Sequence, residues 1–155
     1  MAKIIDYLKE EKNLKVIITG SFIQKELDRI DRIISLCKTK PINLSGQLTL
    51  KHLASLSSKS KLFFGVDTAP MHIAAATNTS VLAIFGASFP VQWGPWNNSS
   101  NQQLFLNIYG IQMNVKHCMF SKMNHDIFYE GLVKKSKGMV LIDYDKVRSA
   151  LDSML

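Results

Sequence analysis

The sequence predicts an α/β domain: a Rossmann-like parallel sheet with flanking helices. Three observations predict it. The runs Lys61-Leu-Phe-Phe-Gly-Val66 and Ser80-Val-Leu-Ala-Ile-Phe85 show no polar alternation, as expected of strands buried on both faces. Segments with helical periodicity lie between such runs, the order that builds parallel sheets covered by helices. Finally, 155 residues with 46% apolar and 20% charged content suit one globular lobe that buries roughly 68–70% of its unfolded surface.

The elements follow in order. Ala2–Glu11 carries Ile4, Ile5 and Leu8 among charges, a helical spacing. Lys15-Val-Ile-Ile-Thr19 reads as a short strand running into Gly20-Ser21, and a charged helix follows over Gln24–Cys37. Pro41–Ser45 is extended. Thr49 stands where it can cap a helix whose apolar positions are Leu50, Leu53, Ala54 and Leu56. After the strand ending at Val66 comes a short helix, Pro70–Thr77, and then the strand Ser80–Phe85. Leu104–Ile108 offers another strand, and Asp143–Leu155 closes with an amphipathic helix through Val147, Ala150, Leu151 and Met154. The chain opens on a helix, as if a first strand preceded it.

Composition excludes several classes. No stretch of 18 apolar residues exists, so no membrane-spanning helix is expected, and no secretory leader is visible. Cys37 and Cys118 are far apart without CxxC spacing, which suits a reducing compartment. A cytoplasmic location follows. The net charge is +7. Five lysines (116, 122, 134, 135 and 137) against Asp126 and Glu130 make 109–138 a basic stretch, suited to anionic partners or to plain solvation. The lysines are not interleaved with stacking aromatics, so no nucleic-acid partner is expected. His117, Cys118 and His125 match no zinc spacing, and neither GxGxxG nor a Walker A loop occurs. No metal is expected.

The chemistry concentrates after Val66. Asp67 and Thr68 are candidate caps, and Pro70 sits in the first turn of the next helix. Free N–H groups and the helix dipole there favour an anion. Ala74-Ala75-Ala76 lets that helix approach the sheet closely, and Thr68 and His72, four apart, share a face. A capped helix with a satisfied histidine would also account for His72 alone. Together, Asp67, Thr68, Pro70 and His72 favour a ligand site. Because a carboxylate repels a diphosphate, Asp67 is expected to fix the loop or hold a sugar hydroxyl. Thr68, His72 and the N–H groups would meet the phosphates. Gly86-Ala-Ser-Phe-Pro-Val-Gln-Trp-Gly-Pro-Trp96 follows a buried strand as a cleft loop should. Trp93 and Trp96 shape a pocket or a seam there, or cover the sheet edge.

Asn43-Leu-Ser-Gly46, Leu50–Leu56, Gly65-Val-Asp-Thr-Ala-Pro-Met-His-Ile-Ala-Ala-Ala76, Val81–Ser88 and Val91-Gln-Trp-Gly-Pro-Trp96 resemble the C-terminal half of the ADP-heptose:lipopolysaccharide heptosyltransferases. The likeness runs over about Val16–Trp96 and is strongest to the heptosyltransferase III branch. The resemblance implies the C-terminal lobe of a two-lobe GT-B glycosyltransferase, holding ADP-heptose as donor without a cofactor. It implies that the lipopolysaccharide core acceptor and the general base belong to an N-terminal lobe. The chain would then be one nucleotide-sugar-binding lobe over 1–155, a fragment with no catalytic residue of its own. By the same resemblance, Gly20 and the turn to Glu26 lie near the ribose, contacted by either Gln24 or Glu26. Leu48 packs on the adenine or in the core. Asp67, Thr68, Ala69, Pro70 and His72 surround the diphosphate and sugar, with Gly86 and Trp93 nearby. Peripheral contact with the inner membrane is a further expectation. The alternatives are a non-catalytic ADP-binding lobe and a GT-B transferase using another nucleotide sugar.

Overall fold

The computed structural model describes residues 1–85, 93–96, 103–107, 112–114 and 143–155. Two compact units divide the chain, Met1–His52 and Leu53–Leu155.

The first unit opens with α1 (Ala2–Glu10), which buries Ile4, Ile5, Tyr7 and Leu8. β1 (Ile17–Ile18) pairs in parallel with β2 (Ile42–Asn43), Ile17 opposite Ile42. The regular strands are shorter than the predicted Lys15–Thr19 and Pro41–Ser45. Parallel bonding nevertheless continues beyond them, from Ile42 N–H to Val16 O and from Gly46 N–H to Gly20 O, both at 2.9 Å. Gly46 has φ +72°, a left-handed conformation that costs glycine nothing. Between the two strands runs α2 (Gln24–Ser35), with Ile30 as its buried position.

In α3 (Leu50–Ser58), Thr49 caps as expected: its hydroxyl accepts the His52 N–H at 3.2 Å. The second unit's sheet has the order β3-β4-β5-β6. β3 (Leu62–Val66) runs parallel to β4 (Ser80–Phe85), with Phe63 opposite Val81 and Val66 opposite Ile84. β4 runs parallel to β5 (Gln103–Asn107). β6 (Gln112–Asn114) joins antiparallel, a departure from the all-parallel expectation. β4 is buried along Val81–Phe85, as predicted. β3 is only half-buried, and Val66 is exposed. The reason is position: β4 has strands on both sides, whereas β3 has β4 alone among the described residues.

α4 (Ala69–Ala76) covers one face of β4. Met71, Ala74 and Ala75 pack with Val81, Ala83 and Phe85, and the Phe63 ring packs against this cluster. The period of two puts Val81, Ala83 and Phe85 on one face, and the alanines permit the close approach. Fully burying Phe85 stabilises by roughly 1.5–3 kcal/mol. α4 ends in a Schellman arrangement: Thr79 N–H reaches Ala74 O, Asn78 N–H reaches Ala75 O, and Asn78 takes φ +64°. The Thr79 hydroxyl then donates to Ser57 O at 2.7 Å. α5 (Tyr144–Asp152) is capped by Asp143, which accepts the Lys146 N–H, and it buries Val147, Ala150 and Leu151. No described helix is long and apolar enough to cross a membrane.

Candidate functional site

The turn between β3 and α4 is built by strand registry. Asp67 N–H extends the β3–β4 ladder by donating to Ile84 O at 3.1 Å, which fixes the turn at the carboxyl end of the strands. Parallel sheets present ligands at that end. Thr68 is the extended N-cap residue of α4 (φ −153°, ψ 166°), yet its hydroxyl does not cap. It donates back to Val66 O at 3.2 Å. The expected hydroxyl cap is therefore corrected: Thr68 caps by conformation alone. Pro70, at the second position, carries no N–H, and the Ala69 N–H finds no acceptor among the described residues. Thr68, Ala69 and His72 are exposed, while Asp67 and Pro70 are half-buried. Among the described residues the Asp67 carboxylate takes no hydrogen bond.

In the first unit, Gly20 lies at the end of the β1 ladder. A Cβ there would sit 2.5 Å from Ile30 Cδ1, 3.1 Å from Glu26 Oε1 and 3.5 Å from Ser45 Oγ. Glu26, in the first turn of α2, receives the Ser21 hydroxyl on Oε2. Ser21 Oγ also accepts the Ile23 N–H at 3.3 Å. Gln24 is occupied elsewhere, its Nε2 donating to Asp28 Oδ1 at 2.7 Å. Of the two candidates for a ribose contact, Glu26 is thus the one turned over Gly20. Leu48 is half-buried. Ser21 and Ser45 were not singled out from the sequence. A serine two residues before the helix N-cap, with a glutamate at the third helical position, was the available signal.

Trp93 and Trp96 are 55% and 73% exposed, with Pro95 fully buried between them. Gly86, the basic stretch 109–138, His117, Cys118 and His125 lie outside the described residues. Among the described residues, no group of three His, Cys, Asp or Glu side chains is placed to hold a metal ion.

Parallel strands alternating with helices define the class: an α/β protein of the Rossmann-like type. The chain belongs to glycosyltransferase family 9 (heptosyltransferase), whose family model matches residues 2–124. It is 37% identical over 100 residues to lipopolysaccharide heptosyltransferase 3 of Escherichia coli, a stretch covering 64% of this chain and 29% of that relative. Against the lipopolysaccharide core heptosyltransferase OpsX of Haemophilus influenzae it is 33% identical over 94 residues, covering 61% and 27%. Lipooligosaccharide heptosyltransferase 2 of Campylobacter jejuni matches at 24% over 141 residues, covering 90% of this chain and 44% of the relative. The chain thus spans less than half the length of each of these relatives. The crystal structure of a family 9 glycosyl transferase from Veillonella parvula shares the fold, with a TM-score of 0.73 at 23% identity over 99% of this chain and 39% of that one.

Proposed function

We propose that this chain carries the donor site of a heptosyltransferase of lipopolysaccharide core assembly, and that the donor is ADP-heptose. Family membership supports the reaction class. The single observation that carries the site is the β3–α4 turn, where a helix-start N–H with no acceptor among the described residues lies beside the exposed Thr68 and His72.

In this reading the diphosphate lies against the N-terminus of α4, where the Ala69 N–H and the dipole favour negative charge. Thr68 and His72, one turn apart, donate to phosphate oxygens. The Asp67 carboxylate would repel the diphosphate and instead accepts a hydroxyl of the heptose. The acceptor hydroxyl attacks the anomeric carbon, its proton passing to a general base assigned to an acceptor-binding lobe outside 1–155. The bond from that carbon to the phosphate oxygen breaks, and ADP departs with the electron pair. Groups already oriented at that oxygen stabilise the developing charge without reorganisation. No metal is assigned to this step. The acceptor is the lipopolysaccharide core, and the location is the cytoplasm, with the basic stretch 109–138 contacting the inner membrane.

Thermal-shift measurements with ADP, UDP and GDP and their sugars test the donor. Stabilisation by ADP above the other two is expected, and an equal response to all three rejects the ADP assignment. Mixing the chain with an acceptor-binding lobe of the family tests catalysis, because a lobe that only binds ADP would restore no transfer.

A further inference from the structure

Trp93 and Trp96 are the only tryptophans of the chain, and both are exposed although Pro95 between them is fully buried. The proline anchors the segment, and its fixed φ stiffens it, while the indole on each side in sequence keeps half or more of its surface free. A tryptophan carries roughly 150–250 Å² of surface and is highly buried on average. Two of them exposed within four residues are the kind of apolar surface that marks an interaction site.

What covers them follows from their chemistry and from the charge of the chain. Indole has an apolar body and one N–H donor. It suits a boundary that is apolar on one side and wet on the other, the level of lipid headgroups. The chain carries 19 Lys and Arg against 12 Asp and Glu, a net charge of +7, complementary to an anionic bilayer. The lipopolysaccharide acceptor proposed above is itself carried on lipid, so transfer to it takes place at a membrane surface. Docking of this kind needs no spanning helix, and no described helix is long and apolar enough to be one. Apolar insertion and electrostatic attraction add, where a single weak anchor holds a protein only marginally.

We propose that Trp93 and Trp96 form a docking surface for an anionic lipid bilayer. The positive charge of the chain draws it to the membrane, and the two indoles enter the headgroup layer and hold it there. The inference rests on the lipopolysaccharide reading for its setting and adds to it the residues that make the apolar contact.

Because the chain has no other tryptophan, its intrinsic fluorescence reports these two residues directly. The full chain is mixed with vesicles of phosphatidylethanolamine and phosphatidylglycerol in equal parts, and with vesicles of phosphatidylcholine alone. Binding to the anionic vesicles is expected, with tryptophan emission moving to shorter wavelength and quenched by lipids brominated on the acyl chain near the headgroup. Replacing both residues, Trp93→Ala with Trp96→Ala, should lower the partition into anionic vesicles by about ten-fold or more. Should that variant fail to fold, the quenching of the unsubstituted chain decides without it. Binding with no emission shift and no quenching overturns the proposal, because charge elsewhere then makes the contact. An emission shift produced by delipidated core oligosaccharide, or by raising the protein concentration, and not by vesicles overturns it in favour of a saccharide or a protein surface. A chain that responds to ADP but does not bind vesicles overturns this inference and leaves the donor reading intact. Docking and quenching without any response to ADP uphold the surface and count against the donor reading alone.

Discussion

One oxygen of Asp6, on α1, accepts both the N–H and the hydroxyl of Thr39, each at 2.9 Å and 33 residues along the chain. The other oxygen accepts the Lys38 N–H at 3.1 Å. Asp6 is 8% exposed, so these bonds tie α1 to the segment entering β2. Burial alone would raise its pKa. The two backbone N–H groups, the Thr39 hydroxyl and the Lys38 charge outweigh burial and hold the carboxyl below its ordinary value. Beside it, burial and then the Asp6 charge push the Cys37 thiol upward, and that thiol stays protonated on Ile33 O.

Asp6→Asn should therefore destabilise the fold. Asparagine can still accept from Thr39, but its NH2 would face the Lys38 N–H, donor against donor. The expected loss is about 1–3 kcal/mol in urea denaturation. The pH dependence has a definite sign. A depressed folded-state pKa contributes stability above the unfolded value, about 3.9, and that contribution disappears as pH falls through the lower folded value. The unsubstituted chain should lose stability over that acid window, and the Asp6→Asn variant should show a shallower acid limb. Identical acid limbs would remove Asp6 from the account.

Gly65→Ala tests the packing of β3. Residues 63 and 65 share a face, and a Cβ at 65 would lie 2.7 and 2.9 Å from the Phe63 ring. Phe63 packs on the Met71–Phe85 cluster, so the ring cannot yield without disturbing it. A loss of roughly 1–3 kcal/mol is expected. A second substitution, Phe63→Leu, should recover part of it, and failure of that rescue would point to a backbone cause.

His72→Ala separates binding from stability. The side chain is exposed and makes no hydrogen bond among the described residues, so the thermal midpoint should not move. ADP binding should weaken by about three- to ten-fold, the loss of roughly one hydrogen bond. Unchanged affinity in calorimetry would exclude His72 from the phosphate contacts.

Much of the architecture was determined by local sequence. Ser80–Phe85, the helix after Asp67, the Thr49 cap and the closing helix are set by periodicity and by residues adjacent in the chain, so they can be read without a partner. The Asp67–His72 constellation is equally local, being one turn between a strand and a helix. Tertiary structure decided what depends on neighbours distant in sequence. β3 is half-buried because it has one strand neighbour among the described residues, although its sequence is as apolar as that of β4. The sequence left Gln24 and Glu26 as alternatives; the folded turn sets Glu26 over Gly20 with the bond from Ser21, and Gln24 onto Asp28. The tie from Asp6 to Thr39 leaves no trace in the helical pattern of α1 or in the segment entering β2, because a hydrogen-bond partner 33 residues away is chosen by the folded geometry and not by spacing.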